Sequence, residues 1–264
     1  MAELIETISR ERVCLYASFD EDLTADISGG TPEPTWNADL ARHESTGGRF
    51  DGRLVVDARD NGWDEQEFRF SARDNFPYDP EGFDGTVSVW LQGDPDVDLH
   101  DDFPVDPFHI SRHAADASFY LDLTRPNDWR YGSPRKLRFG FYGDSPAQNM
   151  FEGGWLLVVG DLGWDDRCWH HVVATFRNVN SGRQDGSAAL YLDGRLRATM
   201  DGYQHTVTWD VEALSIGLGQ RYVGGLDDLQ VVLDNSAGCA SSRRGRRPTG
   251  SCGHHLEAVD HNDY

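Results

Sequence analysis

Residues 186–199, GSAALYLDGRLRAT, are two alternating runs joined at Asp193-Gly194. Period-two alternation puts Leu190 and Leu192 on one side and Tyr191 on the other, and the Asp-Gly pair supplies the positive φ that a tight hairpin turn demands. The chain then returns through Leu196 and Ala198. The same pattern recurs along the sequence. VCLYASF (13–19) sets Val13, Leu15, Ala17 and Phe19 against Cys14, Tyr16 and Ser18, and GTVSVWLQG (85–93) sets Val87, Val89 and Leu91 against Ser88 and Trp90. RLVVDA, EFRFSA, ASFYLDLT, KLRFGFYG, HVVATF, YQHTVTW, LSIGLG and LDDLQVVL read as further strands. The wholly apolar WLLVVG (155–160) reads as a strand covered on both faces. DPDVDLHDDFPVDP (94–107), dominated by Asp and Pro, reads as a loop. No amphipathic helix of twelve residues is visible. About twelve or thirteen short strands separated by turns specify an all-β chain folded as a two-sheet antiparallel sandwich, or jelly roll.

With 8 Trp, 13 Phe and 9 Tyr among its 264 residues, the chain can bury one sizeable core. We read an N-terminal extension (1–10), a single domain (11–238) and a tail (239–264). The tail carries Arg243, Arg244, Arg246 and Arg247 among few large apolar side chains and is expected to be disordered. The formal net charge is −21; the tail contributes +1, which leaves −22 on residues 1–238. Nucleic-acid and anionic-membrane binders need a positive surface, so the composition argues against both. No run approaches the ~18 apolar residues of a membrane span. The start of the chain has no basic segment followed by an apolar one, so no signal peptide is read, and an extracellular or cell-surface place would follow only for a piece of a larger precursor. Cys14 and Cys168 lie in or beside apolar runs and are expected to be buried free thiols. Four cysteines allow three pairings, which the sequence does not rank.

The order of segments resembles a known family. ASFDEDLTAD, FDGTVSVWLQGD, CWHHVVATF, ALYLDGRL and IGLGQRYVGGLDDLQVVL follow one another as in laminin-G-like domains of the concanavalin A-like lectin and glucanase superfamily. The resemblance covers roughly residues 11–235 and implies two curved antiparallel sheets. It also implies a calcium ion tying the end of the first strand to the last strand, at positions matching Asp20 and Asp227 or Asp228, with Asp22 and Asp26 as weaker alternates. A hard cation wants several converging oxygen ligands, which these residues offer. Asp227 shares the parity of Leu229, Val231 and Leu233, so it is expected to point inward, where a carboxylate needs a cation or hydrogen bonds.

Sugar recognition needs aromatic faces flanked by polar groups. Trp63, Trp129, Tyr131 and Trp164 lie in loop-like contexts beside Asp or Asn and are the candidate ligand-binding residues. Paired carboxylates for glycoside hydrolysis are suggested only by Glu65 and Glu67 in WDEQEF. That stretch departs from the family's E-x-D-x-E at Gln66 and lies too early in the chain. His170 and His171 read as hydrogen-bonded structural histidines, while His100, His109 and His113 surround the Asp-rich loop without metal-ligand spacing. The sequence therefore reads as a non-catalytic recognition module for a carbohydrate or extracellular protein, with a structural calcium. A polysaccharide hydrolase or lyase on the same fold, or a structural part of a larger assembly, are the alternatives.

Overall fold

The computed structural model describes residues 12–59, 68–99, 103–110, 118–145, 155–165 and 167–233. The strands are β1 (Val13–Ala17), β2 (Ile27–Ser28), β3 (Thr35–Trp36), β4 (Ala41–Glu44), β5 (Arg53–Asp57), β6 (Phe68–Ser71), β7 (Phe83–Gln92) and β8 (Val105–Ile110). They continue as β9 (Phe119–Leu123), β10 (Leu137–Phe141), β11 (Trp155–Val159), β12 (Trp169–Val179), β13 (Gly186–Leu192), β14 (Arg195–Tyr203), β15 (Ser215–Gln220) and β16 (Val223–Leu233). No α-helix occurs among the described residues. No described helix is therefore long and apolar enough to cross a membrane.

The protein is an antiparallel two-sheet jelly roll. One sheet runs β14-β13-β12-β7-β16-β1-β2, with β5 paired to β16 and β4 to β5; the other runs β11-β10-β9-β8-β15-β6-β3. Alternation explains the long strands directly. In β7, Val87, Val89 and Leu91 face the core while Ser88, Trp90 and Gln92 face out, and β12 repeats the pattern with Val172, Ala174 and Phe176 inward. The sheets meet through aromatic rings: Phe176 of the larger sheet lies edge-on to Phe119 and Phe141 of the smaller, with centroids 5.3 and 5.6 Å away. Leu190 and Leu192 are buried as the hairpin pattern requires. Asp193 and Gly194 both take positive φ (52° and 75°) at the turn. His170 Nδ1 lies 3.0 Å from Asp193 Oδ2 and the His171 amide donates to Asp193 Oδ1, so the turn is tied to β12.

Four local expectations change. β8 starts inside the segment read as a loop, and its Pro107, which has no N–H to donate, sits where the register to β9 shifts. WLLVVG forms the edge strand β11, whose Leu157 and Val159 are buried while Leu156 and Val158 are only half-buried; one face is covered, not both. YQHTVTW leaves β14 after Tyr203 and then runs extended without a ladder. Its carbonyls instead accept from loops, His205 O from Asn180 N and Thr206 O from Asp144 N. Cys168 is disulfide-bonded rather than free, its partner lying outside the described residues, and Cys14 is free with its thiol pushed up to about 11 by burial.

Candidate functional site

Two charged regions stand out, and they are built on opposite principles. The first follows β9. The residues from 125 to 138, RPNDWRYGSPRKLR, hold five basic side chains and one acidic one in a chain of net charge −21. The loop is held rigidly. Asp128 Oδ1 accepts from the amides of Arg130 (2.9 Å) and Tyr131 (3.2 Å), the Gly132 amide donates to Asp128 O (2.7 Å), and Ser133 Oγ bonds Asn127. Arg135 is buried beneath it and donates to the carbonyls of Leu99, Phe103 and Thr124. Above this frame Trp129 is 72% exposed, with the Arg130 guanidinium 5.2 Å from its ring centroid.

Trp129 and Tyr131 line a pocket of about 140 Å³ together with Pro104, Arg125, Asp128, Arg130 and Arg138. The wall formed by Arg138 is fixed from behind. Leu137 and Phe139 enter the core, so Arg138 faces away from it, and Asp122, directly opposite on β9, takes the guanidinium with both oxygens. Both side chains are buried. Burial raises the Asp122 carboxyl and Arg138 opposes that rise, while the same pairing drives the Arg138 pKa upward against its own burial. Tyr120, Tyr142, Asp106 and His109 occupy the same outward side of the smaller sheet; the Tyr120 and Tyr142 rings lie 5.8 Å apart and burial pushes both phenols up.

The second region joins the end of β1 to β16. Asp227 opposes Trp90 in the register, on the outward side, whereas Leu226 opposes Leu91 and faces the core. The expectation of an inward Asp227 fails because a bulge falls between Asp227 and Gln230, with Asp228 in the left-handed region (φ 48°). Asp227 is nonetheless 0% exposed, because the loop at 47–52 lies over it. An added Cβ at Gly52 would collide with the carbonyl of Phe19, and one at Gly48 would reach Asp227 Oδ2 at 2.9 Å. Asp227 Oδ2 accepts from the amides of Arg49 (2.6 Å) and Phe50 (3.3 Å), while Oδ1 is buried with no hydrogen-bond partner.

Asp20 Oδ1 is likewise buried and unpartnered. Burial, then Asp51, Asp228 and Asp26, raise the Asp20 carboxyl against the lowering effect of the Gly52 amide. Burial first, and Asp228 and Asp20 after it, push Asp227 up to about 7 against the two amides. Tyr16 hydrogen-bonds Asp228. Thus Asp20, Asp227 and Asp228 do come together, and two open carboxylate oxygens suit a hard cation. Among the described residues, however, no group of three or more His, Cys, Asp and Glu side chains is arranged to hold a metal, so backbone carbonyls or water would have to complete any coordination. Asp22 instead caps Thr24, and Asp26 caps Ser18.

Of the sugar-binding candidates, Trp129 and Tyr131 share one pocket. Trp164 is buried and stacks on His170 with centroids 5.1 Å apart, so it offers no face to a ligand. Trp63, Glu65, Glu67, His100 and His113 lie outside the described residues, as do the N-terminal extension and the tail. The sequence alone does not single out Arg125, Arg130 or the Asp122–Arg138 pair. The signal lay in the β9 and β10 arms, where alternation places Asp122 and Arg138 on the polar side of facing strands.

Neither a protein-family model nor a curated protein matches the sequence. Solved structures do share the fold. The binding domain of Paraclostridial Mosquitocidal Protein 1 aligns with a TM-score of 0.57 at 12% identity over 84% of this chain and 49% of that one. Domain 4 of AbnA, a GH43 extracellular arabinanase from Geobacillus stearothermophilus, solved in complex with arabinotriose, aligns at 0.52 and 16% identity over 84% of this chain and 92% of that one. The receptor-binding domain of botulinum neurotoxin type G gives 0.53 at 10% identity over 87% and 49%. The chain spans about half the length of the two toxin domains. The likeness shows a shared two-sheet β-sandwich fold and leaves function to the site.

Proposed function

We propose that this protein is a non-catalytic recognition module of laminin-G-like type that binds a carbohydrate through the Trp129 pocket. The observation that carries the reading is Trp129 itself. A large aromatic ring exposed at 72% on a loop braced by Asp128 and Arg135 is a costly surface to leave in water, and it is positioned in advance to stack on a sugar ring. Tyr131 and the guanidinium groups around it supply donors for hydroxyls. A polysaccharide-cleaving role has less behind it, since Asp128, the acid that lines the pocket, is engaged by two backbone amides and faces Arg125, and both oxygens of Asp122 behind it are taken by Arg138. An array of immobilised glycans probed with the wild type and with Trp129→Ala tests the reading. Spots bound by the first and lost by the second support it; binding unaffected by the substitution, or none at all, contradicts it.

We propose further that calcium occupies the Asp20–Asp227–Asp228 region as a structural ion. The support is the pair of buried, unpartnered oxygens, Asp20 Oδ1 and Asp227 Oδ1. A ligand that binds only the folded state raises its melting temperature. Chelated protein titrated with calcium should therefore melt higher, with magnesium giving less, and the rise should vanish in Asp227→Asn. The disulfide at Cys168 favours an oxidising, extracellular setting.

A further inference from the structure

We infer that the Trp129 pocket selects an anionic saccharide, one whose ring bears a carboxylate or a sulfate ester. This deepens the carbohydrate reading and rests on it. The pocket is small, about 140 Å³, well below the ~300–1,000 Å³ of sites that enclose a whole drug-sized ligand. It suits one substituent, with the rest of the ligand left on the surface. Its walls set three guanidinium groups, Arg125, Arg130 and Arg138, against one carboxylate, Asp128; with Asp122 paired to Arg138 behind the wall, the local balance is three cations to two carboxylates.

That carboxylate is already engaged. Asp128 Oδ1 holds two backbone amides, and Oδ2 faces Arg125 Nε at 3.7 Å. Asp122, behind the wall, keeps Arg138 charged and oriented. Planar guanidinium groups match carboxylate and sulfate oxygens with paired donors. Charge elsewhere reinforces the preference. A chain of net charge −21 repels anions generally, so five basic residues between 125 and 138 make this segment a local exception. An anionic sugar can lay its ring against exposed Trp129 while its charged group enters the pocket between Arg125 and Arg130.

Calorimetric titration with oligogalacturonate, its methyl ester and a sulfated galactan oligosaccharide separates the possibilities. An acidic oligosaccharide should bind at least tenfold more tightly than the methyl ester. The preference should shrink with added salt and disappear in Arg125→Gln and Arg130→Gln, both exposed positions whose melting temperature should hold. Carboxylate and sulfate as the source are told apart by which acidic oligosaccharide binds. If the methyl ester binds as well as the acid and Trp129→Ala abolishes both, carbohydrate recognition stands and anion selection is overturned. If Trp129→Ala leaves binding of the acidic oligosaccharide unchanged, both readings fall; if none of the three oligosaccharides binds, anion selection is overturned and the glycan array decides the carbohydrate reading.

Discussion

The loop at 125–138 and the junction of β1 with β16 each concentrate charge, yet they treat their carboxylates in opposite ways. At the loop every described acid has partners: Asp128 holds amides, and Asp122 holds Arg138 with both oxygens. At the junction Asp20 and Asp227 each keep a buried oxygen with no donor, and the acids raise one another. Arg49, whose guanidinium interacts with Asp227 and Asp228, also lies 4.7 Å from the Trp90 ring and compensates them incompletely. Satisfied acids leave the loop rigid and its aromatic ring available to a ligand. Unsatisfied acids make the junction depend on a proton or a cation for its stability.

Substitution of the two acids should therefore act with opposite signs. The largest effect is expected from Asp122→Asn, which strands a buried guanidinium and should destabilise by about 3–5 kcal/mol in chemical denaturation. Asp227→Asn should instead stabilise the calcium-free protein at pH 8, on the order of 1–3 kcal/mol. A loss of stability there would show that the Asp227 carboxylate is satisfied in the fold.

Asp227, raised to about 7 when folded from its ordinary value near 3.8, contributes stability that is full below pH 4 and lost as pH rises through 7. His205, which burial lowers to about 4 from 6.5, does the reverse; its contribution is present above pH 6.5 and lost as pH falls through 4. The two slopes oppose each other between pH 4 and 6.5. Subtracting wild type from Asp227→Asn removes the His205 term, so the gain from the substitution should be near zero at pH 4 and greatest above pH 7. Calcium should abolish most of that gain by stabilising the wild type alone. The smallest stability change is expected at the loop, where Trp129→Ala should shift stability by no more than about 0.5 kcal/mol.

Much of the scaffold was legible because its signals are local. Leu190, Leu192 and Asp193-Gly194 declare a hairpin within ten residues, and the same alternation locates β7 and β12. Other features depend on what the chain meets at a distance. YQHTVTW has a strand's period, but beyond Tyr203 it joins no ladder among the described residues, and its carbonyls accept from the amides of Asn180 and Asp144. Counting by twos from Leu229 turns Asp227 inward, and only the bulge at Asp228 corrects it. Trp164 looked like a loop platform beside aspartates, but its ring is consumed by His170. Trp129 and Tyr131 were visible as aromatic loop residues. Their arginine partner on β10 was hidden because its meaning comes from Asp122 on the neighbouring strand.

The most direct test is a paired measurement on wild type and Trp129→Ala: calorimetric affinity for the glycan that the wild type binds best, and the melting temperature of each protein. Affinity should fall at least tenfold while the melting temperature stays unchanged. Retained affinity would remove the pocket from recognition, and a large drop in melting temperature would make Trp129 a packing anchor instead of a binding surface.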